Sequence, residues 1–171
     1  MAQGYWFINE MPKLSWVKMK FGWNKSILDV GCADGLLWEG FPYRGTLLDK
    51  EVREGAEPCH PDVVGTAEDL PFADNSFDIV LLSEILEHLE KPEIALREAT
   101  RVAKLKVILT VPWEAVWRPE YKPFTNPEHI HYFDPLMLQT LISGLELPFE
   151  MQFFNFHGMI WIGAEIYCGK G

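Results

Sequence analysis

Glu84, Glu87 and His88, in the stretch SEILEHL, stand at i, i+3 and i+4, the spacing that puts three side chains on one face of a helix. Two carboxylates and an imidazole on one face can share a divalent cation such as Mg2+, with His129 or His131 from a later stretch completing the set. Without a metal, a neutral imidazole at His88 or His131 suits proton removal near pH 7. A plainer arrangement uses the same letters: the two glutamates solvated or bonded to loop amides, and His88 packed or capping.

A second stretch, ILDVGCADG from Ile27 to Gly35, turns abruptly from apolar residues into residues with almost no side chain. A buried strand that ends in such a turn lets a ligand approach the backbone, because Gly31 and Gly35 carry no Cβ and the following residues offer free N–H groups. The dinucleotide fingerprint needs G-x-G-x-x-G, and Ala33 stands between the two glycines, so a nicotinamide or flavin pyrophosphate site is poorly supported. The phosphate-binding P-loop is absent as well. Asp29 adds a carboxylate beside this seat, which favours an amine or sulfonium over a phosphate.

These residues need a scaffold. Short β-branched or leucine-rich runs alternate with candidate helices, the pattern of a mostly parallel α/β sheet covered on both faces. Five parallel strands are expected at Ile27 to Val30, Thr46 to Leu48, Asp62 to Val64, Ile79 to Leu82 and Val107 to Val111. Phe149 to Phe156 and Met159 to Tyr167, joined at His157-Gly158, predict a closing antiparallel hairpin. One helix is expected from an Asn9 cap through Pro12 to Gly22, with Leu14, Val17 and Phe21 on one face. Another runs from Pro92 to about Val102, and a third from Asp134-Pro135 to Gly144. The connection from Trp113 to Ile130 holds three prolines and several aromatic residues, and long loops of this kind often act as lids.

With 171 residues and 48% apolar composition, the chain is long enough for one domain with a real core. A net charge of -10 disfavours long nucleic acids and helps neutral or cationic ligands. Lys13, Lys18, Lys20 and Lys25 lie among Trp16, Phe21 and Trp23; such a run can hold phosphates and bases, or form a solvated face over a packed underside. No apolar run approaches the length of about 18 residues that a membrane helix needs. Cys32, Cys59 and Cys168 fit no paired or metal spacing, and Met1 to Glu10 does not read as a leader, so reduced thiols and a cytoplasmic location are expected.

LDVGCADG resembles the first motif of the class I S-adenosylmethionine-dependent methyltransferases, with Cys32 and Ala33 inside it. TLLDKE, containing Asp49 and Lys50, is similar to the second-strand segment whose acidic residue bonds the ribose. GTAEDLPF and the forty residues it opens resemble the family's third and fourth strands and following helix. VILTVPW resembles the fifth strand, and NPEHIHYFDPLMLQTLI the approach to a late helix. The resemblance covers 27 to 144 and is close to the ubiquinone- and menaquinone-pathway members. It implies a Rossmann-like, doubly wound, seven-stranded sheet. It also divides the single domain into an N-terminal helical segment (1–25), a cofactor-binding half (26–112) and a lid loop, helix and hairpin (113–171).

By the same resemblance, Asp29 and the backbone of Gly31 and Ser83 hold the methionine end of S-adenosylmethionine, with Cys32, Ala33 and Gly35 completing the turn. Asp49 and Lys50 border the ribose, and Thr66, Ala67, Glu68 and Leu70 the adenine. The expected reaction is in-line methyl transfer to an oxygen or nitrogen of a small-molecule or sugar acceptor, with no covalent enzyme intermediate. Glu84, Glu87 and His88 resemble the metal motif of the small-RNA 2′-O-methyltransferases and of ubiquinone-pathway O-methyltransferases, with His129 as the completing ligand, which leaves a metal-assisted RNA 2′-O-methyltransferase as an alternative. Thr66 replaces the usual Asp, and only 13 residues run from Asp49 to Pro61, too few for a full crossover helix. Those two departures also leave room for a catalytically silent cofactor-binding subunit, and for a homodimer or partner subunit that closes the trimmed side.

Overall fold

Ile79 and Leu81 are buried on one side of a sheet and Val80 and Leu82 on the other, the alternation a strand shows when both faces are covered. A computed structural model describes residues 12–33, 35–38, 45–52, 60–116 and 126–169. Its strands are β1 (Ile27–Val30), β2 (Thr46–Asp49), β3 (Val63–Val64), β4 (Phe77–Ser83), β5 (Ala103–Pro112), β6 (Phe149–Phe156) and β7 (Met159–Tyr167). They form one seven-stranded sheet in the order β3-β2-β1-β4-β5-β7-β6. The first five pair in parallel, and β7 runs antiparallel between β5 and β6.

This is the expected doubly wound sheet with its closing hairpin. His157 and Gly158 both take positive φ, 54° and 98°, the twist a two-residue hairpin loop requires. The strand ends differ from the expectation in a consistent way. β4 and β5 are longer than their apolar runs because Phe77 pairs with Ala103 and the ladder resumes, past a register shift, at Ile79 and Lys106. β3 is shorter: at the sheet edge it pairs only with β2, through Val63 and Val64, while Asp62 turns back to accept the Leu47 N–H at 2.8 Å.

Among the described residues three α-helices flank the sheet: α1 (Pro12–Lys20), α2 (Pro92–Val102) and α3 (Pro135–Ser143). Pro92 and Pro135 open their helices at the first turn, and the Asp134 side chain accepts the Met137 N–H at 2.7 Å as a cap. The expected Asn9 cap lies outside the described residues. α2 and α3 bury Leu96, Ala99, Leu138 and Ile142 against one sheet face. α1 covers the other with Leu14, Trp16, Val17 and Phe21.

Among the described residues no α-helix joins β1 to β2 or β2 to β3. Among those residues a 3-10 turn, Leu36–Trp38, follows β1; residues 39–44 and 53–59 of the two crossovers lie outside the described residues. The lysine-rich run has the packed underside expected of it, and Lys25 is exposed, but two of its lysines are not simply solvated. Lys13 is only 7% exposed, and Lys20 bonds Glu165 beneath it. Trp16 and Phe21 are core residues, and Trp23 is exposed. The aromatic lid segment at 117–125, with Trp117, Tyr121 and Phe124, and the 53–59 segment with Cys59, lie outside the described residues.

Gly31 closes β1 at φ +75°, and a Cβ built there would overlap the Ile85 side chain. Gly31→Ala is therefore expected to cost about 1–3 kcal/mol through a left-handed backbone and a forced shift of Ile85. Urea unfolding reads this as a lower midpoint, and an unchanged midpoint would refute it.

Candidate functional site

The chain reverses its winding between β1 and β4, where open α/β sheets place ligands beyond the strands' carboxyl ends. A cleft of about 410 Å³ opens there. Gly31 and Ala33 border it after β1, Asp49 and Lys50 after β2, Thr66, Ala67 and Glu68 after β3, and Glu84, Ile85 and His88 after β4. Nine of the residues singled out in the sequence thus meet in one cavity.

Local hydrogen bonds explain its shape. The Gly31 and Cys32 N–H groups donate to the Leu48 carbonyl at 2.8 and 3.2 Å, tying the turn to β2. Ala33, also in the left-handed region at φ 51°, donates its N–H to Asp49 Oδ2 at 2.9 Å. Asp49 is buried at the strand end and so presents its carboxylate from a fixed position. On the far wall, Arg101 of α2 donates to the Leu70 and Phe72 carbonyls and to Glu98, and Glu98 accepts the Leu70 N–H at 3.0 Å. The segment from Thr66 to Leu70 is pinned by this bidentate pair.

Several expected site residues face elsewhere. Asp29 is 3% exposed, does not border the cleft, and accepts the Trp38 indole N–H at 2.7 Å. Burial pushes its carboxyl up to about 7, against the Trp38 hydrogen bond and with help from the Asp49 charge. Cys32 is buried with the apolar cluster under α1, and that burial, with the charges of Asp29 and Asp49, pushes its thiol up to about 12. Gly35 spends its N–H on the Cys32 carbonyl, Ser83 bonds Thr110 through its hydroxyl at 3.0 Å, and Leu70 is committed to Glu98 and Arg101. Cys32, Gly35, Ser83 and Leu70 all stand off the cleft wall.

Beyond the cleft floor, Glu87, His88 and His129 bring one ligand atom each within 4.8 Å of one another. His88 and His129 meet edge to face at 4.6 Å between ring centres. Glu87 is completely buried, and among the described residues neither of its carboxylate oxygens has a hydrogen-bond partner. Desolvation, with the Glu84 charge, holds its carboxyl well above the ordinary range. Burial first, and the neighbouring His129 second, hold the His88 imidazole below its ordinary value.

Two members of the expected metal and base sets do not join this group. Glu84 turns away to Lys13 Nζ at 3.0 Å and to the Trp161 indole N–H at 2.9 Å. His131 is held by its backbone, donating to the Glu87 carbonyl at 3.1 Å, with its ring toward Phe133. SEILEHL is also no continuous helix: Glu84 takes φ 57°, and only Leu86–His88 makes a 3-10 turn, so its three polar residues diverge.

Sequence spacing does not single out Glu114, whose Oε1 lies 3.0 Å from His129 Nδ1, nor Lys13 and Trp161 as anchors of Glu84. Those pairings bridge residues far apart in the chain, and no local pattern signals them. Glu90, Asn126 and Glu128 also border the cleft. Glu90 directly follows SEILEHL, and Asn126 and Glu128 open NPEHIHYFDPLMLQTLI, so each stands in or beside a stretch already in view.

A family described as "Methyltransferase domain" matches residues 28–111. An uncharacterized methyltransferase from Schizosaccharomyces pombe is 36% identical over 99 residues, 46% of this chain and 36% of that protein. A ubiquinone/menaquinone biosynthesis C-methyltransferase from Burkholderia multivorans is 31% identical over 102 residues, 59% of this chain and 35% of that protein. The chain thus spans about a third of the length of these curated relatives. Among solved structures, a SAM-dependent methyltransferase from Thermotoga maritima, a "possible histamine N-methyltransferase", superposes with a TM-score of 0.74 at 19% identity, over 96% of this chain and 90% of that one. Sheet order, switch-point cleft and matched residues agree: residues 28–111 are similar to the methyltransferase domain, and the chain shares the fold of the SAM-dependent methyltransferase it superposes on.

Proposed function

We propose that this chain binds S-adenosylmethionine in the switch-point cleft and transfers its methyl group to an oxygen or nitrogen of a small-molecule or sugar acceptor. The observation that carries the reading is the composition of the cleft wall. Asp49, Glu68, Glu84, Glu90 and Glu128 face it with Lys50 as the single lysine or arginine among the described residues, a charge balance suited to a sulfonium and an ammonium. The fit is also steric, since Gly31 lets the backbone pass where a side chain would collide with Ile85.

In this reading Asp49 accepts from the ribose hydroxyls, while the Thr66 hydroxyl and the Ala67 backbone meet the adenine. When bound, the cofactor supplies an electrophilic methyl group on a positively charged sulfur. His88, on the cleft wall and held neutral by burial, takes the proton from the acceptor. Ile85 and Leu89 line the cleft beside it. Asp49→Ala is expected to weaken S-adenosylhomocysteine binding by about 1–3 kcal/mol, the order of a lost charge-assisted hydrogen bond. Isothermal titration calorimetry measures it, and equal affinity in the variant removes the ribose assignment.

A metal-assisted form of the reaction rests on the two unbonded oxygens of buried Glu87 beside His88 and His129. One carboxylate and two imidazoles suit Mn2+ or Zn2+ better than Mg2+, and such an ion would hold and polarise an acceptor hydroxyl. Turnover that is unchanged by chelator and by added Mn2+ would rule this form out.

A further inference from the structure

A ligand with an aliphatic ammonium, as S-adenosylmethionine has at its amino-acid end, is held more strongly by an ionised acceptor than by a neutral one. The residue expected for it, Asp29, is buried behind β1 and spends its Oδ2 on Trp38. Glu84 is placed differently. It borders the cleft at the end of β4, directly before the Ile85 side chain that packs over Gly31. Its Oε2 is doubly anchored, receiving the Trp161 indole N–H at 2.9 Å and the Lys13 ammonium at 3.0 Å. Its Oε1 is buried and has no hydrogen-bond partner among the described residues.

The anchors are built in. Lys13, on α1, is 7% exposed and lies 4.9 Å from the Trp161 ring centre, a cation–π distance. Burying a lysine is costly unless it is paired, and its ion-pair partner here is Glu84. Glu84 itself is held at φ 57°, a left-handed conformation that a glutamate adopts only when its surroundings impose it. Glu68, Glu90 and Glu128 also border the cleft, but no comparable buried anchor fixes their carboxylates among the described contacts.

We infer that Glu84 Oε1 is the cleft's ammonium acceptor and that Lys13 is a positioning residue that aims it. The inference rests on the cofactor reading above. It gives α1, which lies outside the matched family segment, a role in binding: the helix must be docked for Glu84 to point correctly. The ammonium could also belong to an amine acceptor, so the test omits any acceptor and varies only the cofactor's own amino group.

Calorimetric titration of the full chain with S-adenosylhomocysteine and with its analogue lacking only the α-amino group decides the matter. The wild-type protein is expected to prefer the former by about tenfold or more, the order of one charge-assisted hydrogen bond. Glu84→Gln should bring the two ligands to within about twofold of each other. Lys13→Met should do the same, and Lys13→Arg should restore most of the preference. A wild-type protein that binds both ligands equally overturns the inference, as does a preference that survives Glu84→Gln in a variant with a cooperative thermal transition. If Glu84→Gln does not fold, the Lys13 pair decides: a preference that survives Lys13→Met overturns the inference, and one lost in Lys13→Met and restored in Lys13→Arg upholds it. Binding of neither ligand removes the cofactor reading itself, and the inference with it.

Discussion

Replacing His88 by alanine is expected to lower kcat about 100- to 10,000-fold while leaving S-adenosylhomocysteine affinity within about twofold of wild type. The split follows from position. His88 borders the cleft from the Leu86–His88 turn after β4, whereas Asp49 ends β2 and Thr66 follows β3. Loss of the imidazole removes a proton acceptor without touching the proposed ribose and adenine contacts. Burial and the His129 ring lower its tendency to charge, so the neutral, basic form persists below the ordinary value of 6.5. The acid limb of the wild-type pH profile should therefore fall below that value. A His88→Ala enzyme with normal kcat would refute the assignment.

Asp29→Asn is expected to stabilise the fold at pH 8 by up to about 4 kcal/mol and to leave it nearly unchanged near pH 4. The sign follows from the direction of the shift. Desolvation raises the folded-state carboxyl from 3.8 to about 7, so between those values the folded chain holds a proton that the unfolded chain has released. Folding stability from this group falls across that interval and is flat above it. At about 1.4 kcal/mol per pH unit, the interval amounts to about 4 kcal/mol. Glu98 and Glu165 act in the opposite direction, since their ion pairs hold them low. The difference between wild type and Asp29→Asn, followed by urea unfolding across pH, isolates the Asp29 contribution. Parallel pH curves for the two proteins would contradict it. Conservation of the Trp38 hydrogen bond by the Asn side chain keeps the comparison clean.

The sheet was legible because its information is local. β4, β5 and β7 announce themselves through consecutive apolar residues, and the switch from β1 into Gly31 can be read without knowing any partner. Of the nine cleft residues, Gly31 and Ala33 could be read from the turn itself, whereas Asp49, Lys50, Thr66, Ala67 and Glu68 were named through the family resemblance. Asp29 was misplaced because alternation on a strand decides its side. Its carboxylate points back under β1 to Trp38 instead of forward to the cleft. SEILEHL misled through a break in period: helical spacing was assumed where Glu84 takes a left-handed backbone, which separates it from Glu87 and His88. Lys13 was beyond reach altogether. Helical spacing shows which face it shares, but its ion pair joins α1 to the end of β4, far along the sequence, and only tertiary packing makes that contact.

Cofactor binding between the carboxyl ends of β1, β2 and β4 is the claim on which every proposed residue role depends. The most direct measurement is a crystal structure of the chain grown with S-adenosylhomocysteine. It should show the ribose hydroxyls on Asp49, the adenine between Thr66 and Ala67, and the sulfur beside Gly31. A ligand bound elsewhere, or a cleft still without ligand in crystals saturated with it, would contradict the assignment.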